Sequence, residues 1–221
     1  MLQTEAVNAF CHAPAVQALR IGIDFDNTLI DYDRVFLAAA RERGLVPADF
    51  LGSKREVRDA IRQLPDGEIA WQRLQGHVCG AGIGGAVLFE GADVFLRRCR
   101  ALHLQVFVVS HKTRYGHLDP ARVDLREAAL GWMTGHGFFD ADGFGLRRED
   151  VFFEETRAAK LARIAGLDCT HFIDDLEEVF ADSEFPAGVR RILFAAEANE
   201  CAALLCRRWA DIAKAVLVER A

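Results

Sequence analysis

Five short, largely apolar runs constrain the fold more than any other feature: Leu19–Ile23, Leu104–Val109, Val151–Phe153, Thr170–Ile173 and Arg190–Phe194. Segments with helical spacing separate them, at Ala92–Leu102, Val123–His136 and Thr156–Ala165, and Asn199–Val218 closes the chain as one helix or two. Strands that alternate with helices and are apolar throughout belong to a parallel sheet covered on both faces. Three further helical patterns lie between the first and second runs. Asp33–Arg43 stops at Gly44, Lys54–Leu64 follows Ser53 and ends at Pro65-Asp66-Gly67, and Glu68–Val78 follows that turn. Residues 31–86 thus read as a small helical insertion into a core formed by 1–30 and 87–221.

With 221 residues the chain can build one sizeable core and a small appended unit. A net charge of -6 gives no general attraction to nucleic-acid polymers or anionic membranes. The six cysteines (Cys11, Cys79, Cys99, Cys169, Cys201 and Cys206) form no Cys-x-x-Cys pair, a pattern of reduced thiols in a cytoplasm. Met1–Gln17 has neither a basic start nor an unbroken apolar stretch, and reads as a loosely docked lead-in.

The polar residues that matter stand where the apolar runs end. Asp24-Phe25-Asp26-Asn27-Thr28 follows the first run, and two carboxylates two residues apart on an extended segment point the same way. Ser110 ends the run through Val109, Asp174-Asp175 ends the run through Ile173, and Lys160 lies within a helical pattern. Open parallel sheets bind ligands beyond the carboxyl ends of their strands, so one crevice would receive Asp24, Ser110 and Asp174.

These four pieces, in this order, resemble the motifs of the haloacid dehalogenase (HAD) superfamily, most of whose members are magnesium-dependent phosphatases. The resemblance covers roughly residues 19–30 and 88–195. It implies a Rossmann-like α/β core of strand order 5-4-1-2-3 with helices on both faces and a small helical cap insertion. The implied reaction is hydrolysis of a small phosphomonoester, of the sugar phosphate or nucleotide class, through an aspartyl-phosphate intermediate. A phosphotransferase or phosphomutase uses the same intermediate, and a non-catalytic ligand-binding or regulatory protein could keep the fold. Partners are then a small phosphorylated metabolite and, as an open matter, a second copy of the chain.

By the same resemblance Asp24 is the nucleophile. Asp26 is the general acid and base, a role that calls for partial desolvation to lift its pKa above about 3.9. Dehalogenases, phosphonatases and pump ATPases of the superfamily carry another residue at that position, which favours phosphate-ester chemistry here. Thr28 orients the carboxylates. The Ser110 hydroxyl and the His111 backbone N–H donate to a phosphoryl oxygen, and Lys160 supplies a fixed positive charge, a role Arg157 could share. Mg2+ would be held by Asp24, the backbone carbonyl of Asp26, Asp174 and, directly or through water, Asp175, with Glu178 as a substitute for Asp175. The donor-rich stretch His111–His117 nominates Lys112, Arg114 or His117 to contact the non-reacting part of the substrate.

Two other features read as structural. Gly80-Ala81-Gly82-Ile83-Gly84-Gly85 has dinucleotide-fingerprint spacing, but follows a helical pattern and lacks the acidic residue about 20 positions on. It reads as a hinge. Trp71, Trp132 and Trp209 lie on helical faces as core or interface anchors.

Overall fold

The structure, a computed structural model, describes residues 18–198 and 202–217. The expected lead-in Met1–Gln17, the two cysteines Cys11 and Cys201, and the outer parts of the expected C-terminal helical stretch lie outside these residues. Six parallel strands form the main sheet: β1 (Arg20–Ile23), β4 (Gln105–His111), β5 (Val151–Glu154), β6 (His171–Asp174), β7 (Arg190–Phe194) and β8 (Leu204–Cys206). A two-residue antiparallel ladder, β2 (Ile30–Asp31) with β3 (Val87–Leu88), brackets the insertion. The order across the main sheet is β5-β4-β1-β6-β7-β8. Counting only the first five of these in chain order, and starting from the β7 side, this is the expected 5-4-1-2-3. The sixth strand corrects the expected helix over Leu204–Cys206. Three residues paired with Ile192–Phe194 are too few to show a period in sequence.

Helices α4 (Ala92–Ala101), α5 (Leu125–Gly135) and α8 (Trp209–Leu217) pack with the larger apolar cluster, and α6 (Arg157–Gly166) and α7 (Glu177–Phe180) with the smaller. Strand alternation feeds both. Val106 and Val108 enter the first while Phe107 and Val109 enter the second, and Ile192 and Leu193 divide the same way. The centre of the sheet is tight: a Cβ on Gly22 would meet the Phe172 ring at 2.5 Å, so glycine lets β1 accept that ring.

The segment between β2 and β3 holds α1 (Asp33–Glu42), α2 (Lys54–Arg62) and α3 (Gly67–Cys79). A capping box starts α2: Ser53 accepts from the Glu56 N–H while Glu56 accepts from the Ser53 N–H. The apolar side chains of the insertion, Phe36, Val57, Ile61, Trp71 and Leu74, belong to the same continuous cluster as α4, α5 and α8. The Trp132 indole N–H donates to the Ala86 carbonyl at 3.1 Å. On the other wall α3 meets the loop after β4 backbone to backbone, because a Cβ on Gly116 would lie 2.5 Å from the Gly76 Cα. The glycine-rich stretch after α3 forms a single 3-10 turn, Ile83–Gly85, and leads into β3.

Candidate active site

Register brings the polar residues together. Ile23 pairs with Val108 on one side and Ile173 on the other, so the residues that follow leave the sheet at one edge. The Asp24 N–H continues the ladder to the Ile173 carbonyl at 2.8 Å, which sets Asp24 beside Asp174. Thr156 caps α6 by accepting from the Ala159 N–H, and this start places Lys160 one turn into the helix and under the same edge.

Lys160 is the hub. Its ammonium, on a residue 2% exposed, donates to Asp24 Oδ1 and to Asp174 Oδ2, each at 2.6 Å. Distances this short mark charge-assisted hydrogen bonds. Arg157 is exposed at the start of α6, so the lysine holds the position the sequence left open between the two. One carboxylate oxygen each from Asp24, Asp174 and Asp175 lies within 4.8 Å of the other two. Burial pushes the Asp174 carboxyl up to about 6; the Lys160 charge opposes this, and the Asp24 charge adds to it. Burial and then the charges of Asp24 and Asp174 push Asp175 well above the carboxylate range. Three carboxylates stand against the Lys160 ammonium, with the Lys54 charge also acting on Asp175, so negative charge is in excess. A set of hard oxygen donors with an excess of negative charge fits Mg2+. Glu178 is exposed on the neighbouring cleft wall and lies outside this group.

Asp26 stands in a different setting. Lys112 Nζ, on a residue 4% exposed, reaches both of its oxygens at 3.0 and 2.8 Å, and the Tyr32 hydroxyl donates to Oδ1 at 2.7 Å. Burial raises the Asp26 pKa, but the Lys112 charge and the hydrogen bonds from Lys112 and Tyr32 outweigh it, and the carboxyl ends below its ordinary value. The expectation of a raised Asp26 is therefore corrected: a buried lysine partner overrides desolvation. Lys112 itself is lifted by the same pairing despite its burial.

Ser110 is the penultimate residue of β4, opposite Phe153; it is 1% exposed, and its hydroxyl bonds to no described residue. Thr28 is buried, with its hydroxyl 3.5 Å from Asp175 Oδ1, and its carbonyl accepts from the Trp209 indole N–H at 3.2 Å. His111 is exposed, its Nε2 3.0 Å from the Glu155 carbonyl. Arg114 is not brought to the crevice. It pairs with Asp124 at 2.8 Å with its side chain 63% exposed, and Asp124 also caps α5, so the pair holds the Arg114 guanidinium outside the cleft that Asp26 lines.

Sequence reasoning missed two residues from the helical insertion and its approach. Tyr32 read only as a residue ahead of α1, and nothing in its spacing announces a bond to Asp26. Lys54 read as one charge on a solvated helix; it donates to Asn27 Oδ1 at 2.9 Å and lies over the Tyr32 and Phe36 rings. Asn27 has a left-handed φ of 57°, a conformation asparagine tolerates, and its side chain ties the turn to α2.

Two clefts open from this edge and share Arg62, Trp71 and Gln75 as a common wall. One, about 550 Å³, is lined by Asp26 and Lys112; the other, about 700 Å³, by Asp175, Asn27 and Lys54.

Neither the known family models nor the curated proteins give a match to this chain. Solved structures do. A HAD-superfamily hydrolase from Ehrlichia chaffeensis matches with a TM-score of 0.51 at 16% identity, over 90% of this chain and 96% of its own. A protein described as a predicted phosphoglycolate phosphatase from Haemophilus somnus 129PT matches with a TM-score of 0.55 at 14% identity, over 91% and 99%. A HAD hydrolase of family IA, variant 3, from Entamoeba histolytica HM-1:IMSS matches with a TM-score of 0.55 at 13% identity, over 91% and 98%. The chain has the haloacid dehalogenase-like α/β fold along nearly its whole length. At these identities the likeness speaks for the fold, and the chemistry is argued from the site.

Proposed function

We propose that this protein is a magnesium-dependent phosphohydrolase acting on a small phosphomonoester through an aspartyl phosphate on Asp24. The observation that carries the reading is Lys160 holding Asp24 and Asp174 at 2.6 Å each, with Asp175 in the same carboxylate group. The names of solved neighbours of this fold, hydrolases and a phosphatase among them, support the same class.

An Asp24 oxygen attacks phosphorus, the bond from phosphorus to the ester oxygen breaks, and Asp26 delivers a proton to the departing alkoxide. Water then attacks the same phosphorus, passes a proton to Asp26, and the bond to Asp24 breaks to release inorganic phosphate. In the free protein Asp26 is a carboxylate held by Lys112; an anionic phosphoryl group arriving beside it raises its proton affinity, and Asp26 takes up a proton from the bound phosphate monoanion, which it then delivers to the alkoxide in the first step. Ser110 offers an unspent hydroxyl to a phosphoryl oxygen, and Lys160 fixes Asp24 in line. Asp24, Asp174, the Asp26 backbone carbonyl and Asp175 would hold Mg2+, which when bound screens these charges and acts as a Lewis acid on the phosphoryl group.

Residues 31–86 serve as the cap over this core in the same reading, and 1–30 with 87–221 as the catalytic unit. The buried free thiols Cys79, Cys99, Cys169 and Cys206 favour a cytoplasmic setting. No helix among the described residues is long and apolar enough to cross a membrane.

The test is magnesium-dependent release of phosphate from 4-nitrophenyl phosphate, lost in Asp24→Asn. Release that persists in the variant, or that ignores chelation of magnesium, overturns the proposal.

A further inference from the structure

The two clefts beside the site differ in how their charges are spent. Asp26 lines only the first, and a general acid must stand within hydrogen-bond reach of the oxygen it protonates, so the leaving group occupies that cleft. Every charged side chain in it already has a partner. Lys112 is on Asp26, Arg62 is on Glu68 at 2.7 Å, and Glu155 is on Arg126 at 2.6 Å. The hydrogen-bonding groups left over are the Trp71 indole N–H, the Gln75 amide and the His117 imidazole, none carrying a permanent charge and none bonded to a described residue. Across the shared wall the balance differs: Arg55 and Glu178 line the second cleft with no ion pair to a described residue.

A second anionic group in the first cleft would find no free cation, and would face the carboxylates of Glu68 and Glu155. A hydroxylated group can both give to and take from an amide and an imidazole, while the Trp71 edge donates. At about 550 Å³ the cleft lies within the range of small-molecule pockets. We infer that the leaving group is an uncharged polyhydroxylated moiety, so that the substrate is the monophosphate of a polyol or sugar, in preference to a phosphorylated hydroxy acid or a bisphosphate. This rests on the phosphohydrolase reading for the role of Asp26.

The test uses pairs that differ only by a hydroxymethyl against a carboxylate: glycerol 3-phosphate with 3-phosphoglycerate, and glucitol 6-phosphate with 6-phosphogluconate. Binding is measured by calorimetry on Asp24→Asn with magnesium, and kcat/KM on the wild type. The polyol member is expected to be favoured by at least about tenfold in both pairs, a difference of about 1.4 kcal/mol. Gln75→Lys, or His117→Lys on the facing loop should the first variant fail to fold, supplies the missing cation and shifts that ratio toward the carboxylate by about tenfold or more. Equal or reversed preference, binding of neither member of either pair, or a ratio that neither lysine variant moves overturns the inference. If the Asp24→Asn protein shows the expected preference while the wild type hydrolyses neither these esters nor 4-nitrophenyl phosphate, the phosphohydrolase reading falls and takes the leaving-group assignment with it, and only the preference of the first cleft for an uncharged hydroxylated ligand stands.

Discussion

Asp24 and Asp26 are two residues apart, yet the electrostatics around them run in opposite directions. On the Asp24 side three carboxylates stand together near Lys160, and burial, with the charges of their neighbours adding to it, drives Asp174 and Asp175 up. On the Asp26 side one carboxylate has a buried lysine and a tyrosine hydroxyl to itself, and it goes down. The first arrangement is short of positive charge and suited to take up a cation. The second is balanced, and holds a base ready without one. A single strand end thus delivers two carboxylates into settings of opposite charge balance.

That contrast is most severely tested at Lys160. Lys160→Met leaves Asp24 and Asp174 buried against each other, and loss of one partner from a buried network costs about 3–5 kcal/mol. Denaturant unfolding of the metal-free protein should show a loss of that size, with added magnesium restoring part of it. Unchanged stability would mean that the lysine does not hold the two carboxylates.

Magnesium itself comes next. Asp174 lies at about 6 when folded, above the ~3.9 of an unfolded aspartate. The folded form therefore holds its proton more tightly, and the metal-free protein loses stability as pH rises from ~4 to ~6. Magnesium takes the proton's place, so the rise in Tm should be greater at pH 8 than at pH 5, worth about 2.7 kcal/mol at a hundredfold excess over Kd. A pH-independent rise would count against the acidic group as the binding site.

On the other side, Lys112→Met should cost about a hundredfold in kcat, within the range for general acid-base groups. It should also move the acidic limb of the pH–rate profile upward, since Asp26 loses the charge that depresses it. A depressed carboxyl contributes stability above about pH 3.9 that is lost as pH falls through its folded value, so the stability difference from wild type should close in acid. Arg114→Ala should do least: the exposed pair with Asp124 leaves the Michaelis constant within about twofold, and a larger change would put Arg114 in the crevice after all.

The sheet was legible because its strands are apolar on both faces and its helices are not. Arg190–Phe194 was read to the residue, and most other ends to within one or two. The two-residue ladder β2–β3 and the three-residue β8 were not, since pairing partners rather than local pattern create them. At the site, Asp24, Ser110 and Asp174 could be placed from the ends of apolar runs. Lys112 stood out only as one donor among several, because a lysine in a polar loop looks solvated until the fold shows it buried against Asp26. Tyr32 and Lys54 reach the site only through the packing of α1 and α2, and Arg114 is drawn off by an aspartate ten residues away.

The order in which the chain is made adds a constraint. β1 precedes both strands it pairs with but lies mid-sheet, with Arg20 bonded to Thr170 across 150 residues and the Thr28 carbonyl waiting for Trp209 across 181. A ribosome therefore exposes the strand that ends at Asp24 long before either neighbour exists, and non-local pairing of this kind is slow to form. Nascent chains stalled before Trp209 emerges should lack a finished site, which leaves an apolar strand without its neighbours until that residue has been made.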